Sequence, residues 1–143
     1  RHILFFCGLS CGLVSGVQAQ DFRAHRWEDR VLLLYTRTTE APAYRKQVRA
    51  LLEDPDGMRE RRLVVYTLLQ DRFAQGLPPT QWQEGRPAGL PGRGIDNGFG
   101  LVLLGLDGGV KRDSQGFVPV EDLWGQIDGM PMRQAEIREK GKY

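Results

Sequence analysis

Cysteine is nearly absent from this chain: the only two, Cys7 and Cys11, fall within its first eleven residues. Histidine is equally scarce, with His25 alone beyond position 19, and in that same stretch Ser114 is the only serine. Each scarcity excludes a chemistry. Without cysteine after Cys11 there is no disulfide and no dithiol redox centre in the body of the chain. One histidine and no cysteine leave zinc only an unusual carboxylate-rich ligand set, and no such cluster stands out. A Ser-His-acid triad would have to use Ser114, which sits in the polar turn Asp113-Ser114-Gln115-Gly116 and lacks the nucleophile-elbow pattern. His25, two residues before Trp27, reads as a surface or capping side chain. Charge of one sign is also lacking, since the formal net charge is only +2. Nucleic-acid binders gather Lys and Arg into a stripe, whereas the densest cluster here, Arg59, Arg61 and Arg62, contains Glu60 and follows Asp54 and Asp56. It reads as a solvated helix end.

The first twenty residues differ from the rest. Basic Arg1 and His2 precede an apolar run over 3–17, and Val17-Gln18-Ala19 is a small-x-small cleavage pattern. Residues 1–19 are therefore expected to be a secretory signal cleaved near Ala19, which places the protein in the periplasm or outside the cell. The run is short of the roughly 20 residues that span a bilayer, and no later stretch is long enough. Residues 20–143 suffice for one domain with a single core.

Three continuous apolar runs, 31–35, 63–69 and 101–106, read as buried strands of a sheet with helices packed on it. Between the first two, Tyr44, Val48, Leu51 and Leu52 recur at helical spacing within 43–53. Thr38 and Thr39 are expected to cap this helix, with Pro42 in its first turn and Asp54-Pro55-Asp56-Gly57 ending it. The unit is strand, helix, strand, with the two strands parallel. Asp107-Gly108 is a hairpin signal, so 99–106 should pair antiparallel with a short strand at 110–112. A last helix is expected near Val120, carrying Leu123, Trp124, Ile127 and Met130 on one face and closed or bent at Gly129-Met130-Pro131. The tail over 133–143 reads as frayed. Residues 71–98 hold six glycines and four prolines and read as a long irregular loop, with Leu77, Trp82 and Leu90 laid over the sheet face that has no helix.

Nucleotide-binding patterns are missing. Gly92-Arg93-Gly94 precedes a strand instead of opening a helix, and Gly108-Gly109-Val110-Lys111 lacks the Gly-Lys-Ser/Thr element. The neighbouring acids Glu121 and Asp122, and likewise Asp54 and Asp56, fall at helix ends and read as capping groups. The segment with functional logic is Tyr35-Thr36-Arg37-Thr38-Thr39-Glu40. It follows the first strand and precedes its helix, where open α/β sheets bind ligands and free N–H groups attract anions. Thr36, Arg37, Thr38 and Thr39 are the candidate ligand or anion-binding residues. No cofactor or metal is implied.

Arg26-Trp27 before a strand beginning Arg30-Val-Leu-Leu-Leu, Leu103-Leu104-Gly105-Leu106-Asp107-Gly108-Gly109-Val110-Lys111, and Ile127-Asp128-Gly129-Met130-Pro131-Met132-Arg133 together resemble a bacterial secreted family of unknown function. That family has a thioredoxin-like fold and is related to the P-DUDES domain of animal extracellular sushi-repeat proteins. The resemblance covers residues 21–138. It implies the order β-α-β-loop-β-β-α, a thioredoxin-like α/β fold with about four strands in a mixed sheet and helices packed on it. The redox members' cysteine would fall at 36–40, where none is present, and Asn97-Gly98 stands where they place a cis-proline. The resemblance thus implies a scaffold and not a reaction. The expectation is an exported, non-redox binding or interaction module in the cell envelope, without nucleic acid as partner. An envelope or extracellular protein, or a small anionic ligand, would be bound. One alternative is a small-molecule enzyme on an anionic substrate at the 36–40 turn, with Arg37 and Thr38 or Thr39 as its polar groups. Another is a structural role in which the long loop or the Met-Pro-Met segment docks onto an envelope protein.

Overall fold

The computed structural model describes residues 22–87, 90 and 98–142. Its centre is β1 (Arg30–Thr36), in which all seven residues are buried. Such a strand needs apolar side chains on both faces and neighbours on both edges, which accounts for the unbroken Val-Leu-Leu-Leu-Tyr run. Helix α1 (Pro42–Leu52) and the short helix α2 (Pro55–Glu60) follow, and the chain returns in β2 (Leu63–Leu68), parallel to β1 with Arg30 opposite Leu63 and Tyr35 opposite Leu68. The other edge of β1 pairs antiparallel with β5 (Phe99–Leu104), which turns through Asp107-Gly108 into β6 (Val110–Gln115). Gly108 has φ +80°, the left-handed conformation such a turn needs and a glycine adopts without strain. Edge strand β6 carries Lys111, Arg112 and Asp113, charges that discourage pairing with a further strand.

The strand count differs from the expectation. Six strands form one mixed sheet in the order β4-β3-β2-β1-β5-β6, because β3 (Arg72–Gln75) and β4 (Gln83–Glu84) lie inside the segment read as irregular. Phe73 and Ala74 are buried on β3, but a strand of four residues between glycine-rich turns is too short to announce itself by alternation. The Gly92-Arg93-Gly94 element and positions 88–89 and 91–97 of that loop lie outside the described residues.

Strand alternation divides the core. Leu32, Leu34, Val65, Phe99, Leu101 and Leu103 face the helical layer and meet Tyr44 and Leu51 of α1 and Leu123 and Ile127 of α3 (Val120–Asp128). Val31, Leu33, Tyr35, Tyr66, Leu68, Phe73 and Val102 face the other way, where Phe22 from a 3-10 turn (Phe22–His25) and Leu90 pack on them. Leu90 therefore covers the face expected of it. Leu77 instead packs into the helical-side cluster, and Leu52, placed on the buried face of α1 by spacing, is 44% exposed.

Three further local expectations are corrected. Thr38 and Thr39 do not cap α1: its N-cap is Ala41, with no side-chain bond, and Thr38 Oγ1 accepts from the Glu40 N–H at 3.2 Å. Asp54 ends α1 only by starting α2, accepting the Gly57 N–H at 2.9 Å as an N-cap. The tail over 133–143 is not frayed but forms α4 (Pro131–Lys140), with Pro131 opening the helix after the bend at Gly129-Met130. Its apolar content is too low to signal packing, because what α4 buries is an arginine, Arg133.

Candidate functional site

Helix α1 follows the carboxyl end of β1 and runs back along the sheet, exposing a flank that the loop after β3 approaches. Between them is a groove of about 470 Å³. Tyr44, Val48 and Leu52, one and two turns apart, line it from α1, and Pro78, Pro79 and Trp82 form the opposite wall. The Leu77-Pro78 peptide is cis. The Arg72 guanidinium stacks on Trp82, 4.8 Å from its ring centroid. Tyr44 hydroxyl and Thr67 Oγ1 are 2.7 Å apart, and burial pushes the Tyr44 pKa up against the opposing effect of that bond. The phenol stays neutral and fixed.

The polar rim is cationic. Arg45 and Arg49 stand four residues apart on the exposed side of α1, with Glu40 the one acid among the described residues lining the groove, 3.8 Å from Arg45. Among the described residues no carboxylate pairs with Arg49. Lys46, between them in sequence, lies 4.3 Å over the Phe117 ring. The groove thus combines an aromatic and proline wall with a guanidinium available to an anion.

The turn residues expected to form the site are dispersed. Thr36 is buried, and its hydroxyl donates to the Thr38 and Gly98 carbonyls at 2.8 and 3.2 Å, fixing the loop. Arg37 is exposed, and its backbone N–H donates to the Gly98 carbonyl. Thr38 is exposed and caps its own turn, so of the four only Thr39 lines the groove. Trp82, expected over the sheet face that has no helix, instead lines this groove beside α1, and Arg45 and Arg49 carry no motif that marks them in the sequence. The arginines form only an i,i+4 pair beside an apolar helix face, and their partner Trp82 is 33 positions beyond Arg49, so no local pattern joins them.

Two other polar clusters modify the sequence reading. His25 is half-buried, not a surface cap: Nδ1 is 3.0 Å from Asp29 Oδ2 and Nε2 is 2.7 Å from the Tyr66 hydroxyl, which also reaches Gln75 at 3.2 Å. Burial, reinforced by the charge of Asp29, pushes the Tyr66 pKa up to about 12, so Tyr66 serves as a neutral link and not as a nucleophile. At the start of the strands, Arg61 and Arg62 are engaged rather than solvated: Arg61 pairs with Asp128 at 2.7 Å and Arg62 with Glu136 at 2.6 Å, leaving Arg59 as the outward member. Buried Arg30 and Arg133 join them. Arg30 reaches Glu136, and Arg133 reaches Asp128, Glu60 and Glu136 at 3.0, 2.9 and 3.4 Å. Burial alone would raise the Asp128 and Glu136 pKa values; hydrogen bonds from Arg61 and Arg133, and from Arg62 and Arg30, outweigh it and hold both low.

The pattern of DUF4174, a domain of unknown function, matches residues 21–136. The chain belongs to the DUF4174 family. Neither the curated proteins nor the solved structures contain a match to it. The DUF4174 span takes in the whole sheet, helices α1–α3 and the first part of α4, and with them both the groove and the arginine cluster. Within this DUF4174 chain the described residues hold no group of three or more His, Cys, Asp or Glu fit for a metal ion. Nor does any described helix have the length and apolarity to cross a membrane.

Proposed function

We propose that this DUF4174 domain is an exported, non-redox binding module on a thioredoxin-like scaffold, working in the periplasm or outside the cell and holding an anionic ligand in the groove along α1. The observation that carries this reading is the juxtaposition of Arg49, with no carboxylate on it among the described residues, and the Tyr44–Pro78–Trp82 wall in one groove of about 470 Å³. A planar or ring-bearing anion matches it: the ring lies against Trp82 and the prolines while the charge meets Arg45 and Arg49. The scaffold reading is supported by the succession of a parallel β1-α1-β2 unit and an antiparallel hairpin followed by α3. Export is supported by the basic start, apolar run and Val17-Gln18-Ala19 pattern of the leader. The enzyme alternative at the 36–40 turn has no comparable support, since the Thr36 and Thr38 hydroxyls are spent on loop bonds.

The test is a thermal-shift screen of the purified protein against anionic sugars, aromatic acids and acidic peptides, with Arg49→Ala and Arg37→Ala in parallel. A ligand at a hundred times its Kd stabilises the native state by about 2.7 kcal/mol. The expected result is a shift lost in Arg49→Ala and retained in Arg37→Ala. A shift lost only in Arg37→Ala returns the site to the turn, and no shift from any anion overturns the reading.

A further inference from the structure

A second pocket, of about 290 Å³, opens at the opposite end of the strands, between the β5–β6 hairpin and the start of α4. It is independent of the groove. Leu106, Met130, Pro131 and Met132 give it an apolar lining, and Arg30 forms part of its wall. Two sequence motifs with no role in the groove, Asp107-Gly108-Gly109-Val110-Lys111 and Met130-Pro131-Met132-Arg133, meet here. The first builds a closed polar unit: Asp107 accepts from the Gly109 N–H at 2.9 Å and from Lys111 Nζ at 3.0 Å, so its charge is turned to its own hairpin.

Arg30 is different. It is 1% exposed, its Nη1 donates to the Arg61 carbonyl at 2.8 Å, and Nη1 and Nη2 reach Glu136 at 3.4 and 3.2 Å. Its Nε–H is buried with no acceptor among the described residues. A charged donor left unmet in the interior is costly and rare, and calls for a partner. The charge balance asks for the same thing. Among the described residues of the cluster around Arg30, four guanidiniums (Arg30, Arg61, Arg62 and Arg133) share three carboxylates (Glu60, Asp128 and Glu136) through direct ion pairs. Asp54, whose charge is felt at Arg61, is already engaged by the Trp124 indole N–H and the α2 cap.

We propose that this pocket binds a small monocarboxylate, one oxygen accepting the Arg30 Nε–H while the apolar chain lies among Leu106, Met130 and Met132. One orphan donor and one surplus positive charge match a single carboxylate, whereas a phosphate would bring more charge and more acceptors than the wall can meet. The pocket volume corresponds to about ten water-sized atoms, which limits the ligand to a short chain. Met132, 43% exposed, lies at the mouth, and because Arg30 Nε is covered, binding requires the unbranched Met132 thioether to change rotamer and admit the oxygen.

The chain has three methionines, Met58, Met130 and Met132, and Met58 packs in the helical-side core away from this pocket. Methyl-labelled methionine therefore provides both reporter and control. The full chain is titrated by NMR with sodium hexanoate, with N-acetylleucine and with the neutral analogue hexanamide. The expected result is saturable movement of the Met130 and Met132 methyls, with Met58 unmoved and hexanamide at least tenfold weaker. Hexanoate binding assigns the site to free acids, and N-acetylleucine binding without it assigns the site to a peptide end. Met132→Glu places a carboxylate at the exposed mouth without disturbing the core and weakens binding at least tenfold. Arg30→Lys removes the Nε donor in a second variant. Saturation by neither acid, equal binding of hexanamide, or unchanged affinity in Met132→Glu overturns the proposal.

Discussion

Replacing Arg133 by alanine is the most informative single perturbation of this fold. Its guanidinium is buried, donates to Asp128, Glu60 and Glu136, and also reaches the Glu60 carbonyl at 3.2 Å, so it ties α4 to α2 and α3 at once. Removing one partner of a buried ion pair costs about 3–5 kcal/mol, because the other charge is left uncompensated. Here Asp128 keeps Arg61, and Glu136 keeps Arg30 and Arg62, which puts the expected loss at the lower end, about 3 kcal/mol. For a domain of this size that is a fall in Tm of about 10 °C. Arg133→Lys keeps the charge but not the fork and should recover about half of it. The loss also has a pH signature. Asp128 and Glu136 have pKa values held below their unfolded values, so their contribution is present above the unfolded carboxylate range and disappears as pH falls through the folded values. The difference between wild type and Arg133→Ala should therefore be full at pH 7 and shrink steadily below about pH 4. Urea denaturation across that range reads it directly. A loss under 1 kcal/mol at pH 7, or one independent of pH, refutes the reasoning.

Other predictions follow from single contacts. Gln47 is fully buried, donates to the Val118 carbonyl at 3.0 Å and accepts the Val118 N–H at 2.8 Å; Gln47→Leu leaves both unmet and should cost about 2–4 kcal/mol by urea denaturation. Gly108→Ala forces a side chain into φ +80° with the Arg26 guanidinium 3.3 Å from the new Cβ, and should lower stability by about 1–2 kcal/mol in thermal melts. Ultraviolet titration of phenolate should show a step near pH 12 that Tyr66→Phe removes.

Much of the scaffold was legible because it is written in local patterns. Unbroken runs at 31–35 and 101–106 mark strands covered on both faces, Asp107-Gly108 marks the hairpin, and the 44, 48, 51 spacing marks α1. What escaped depends on distant partners. Strand β3 is recognisable only through its pairing with β2, with Leu68 opposite Phe73 and Tyr66 opposite Gln75. Helix α4 reads as a charged tail because its buried residue is an arginine whose acidic partners lie on α2 and α3. His25 reads as a surface group because its second partner, Tyr66, is 41 residues away. The candidate site suffered in the same way. Of the turn residues read as a candidate site only Thr39 lines the groove, which also needs Pro78 and Trp82, brought to α1 by a strand that no local pattern marks.

The central claim is that ligand binding takes place along α1, and amide NMR with the tightest anion from the screen tests it most directly. The account predicts saturable shifts along 44–52 and 78–82, with the Trp82 indole signal among the largest. Shifts confined to 36–38 and Gly98, or spread evenly over the surface, would contradict it.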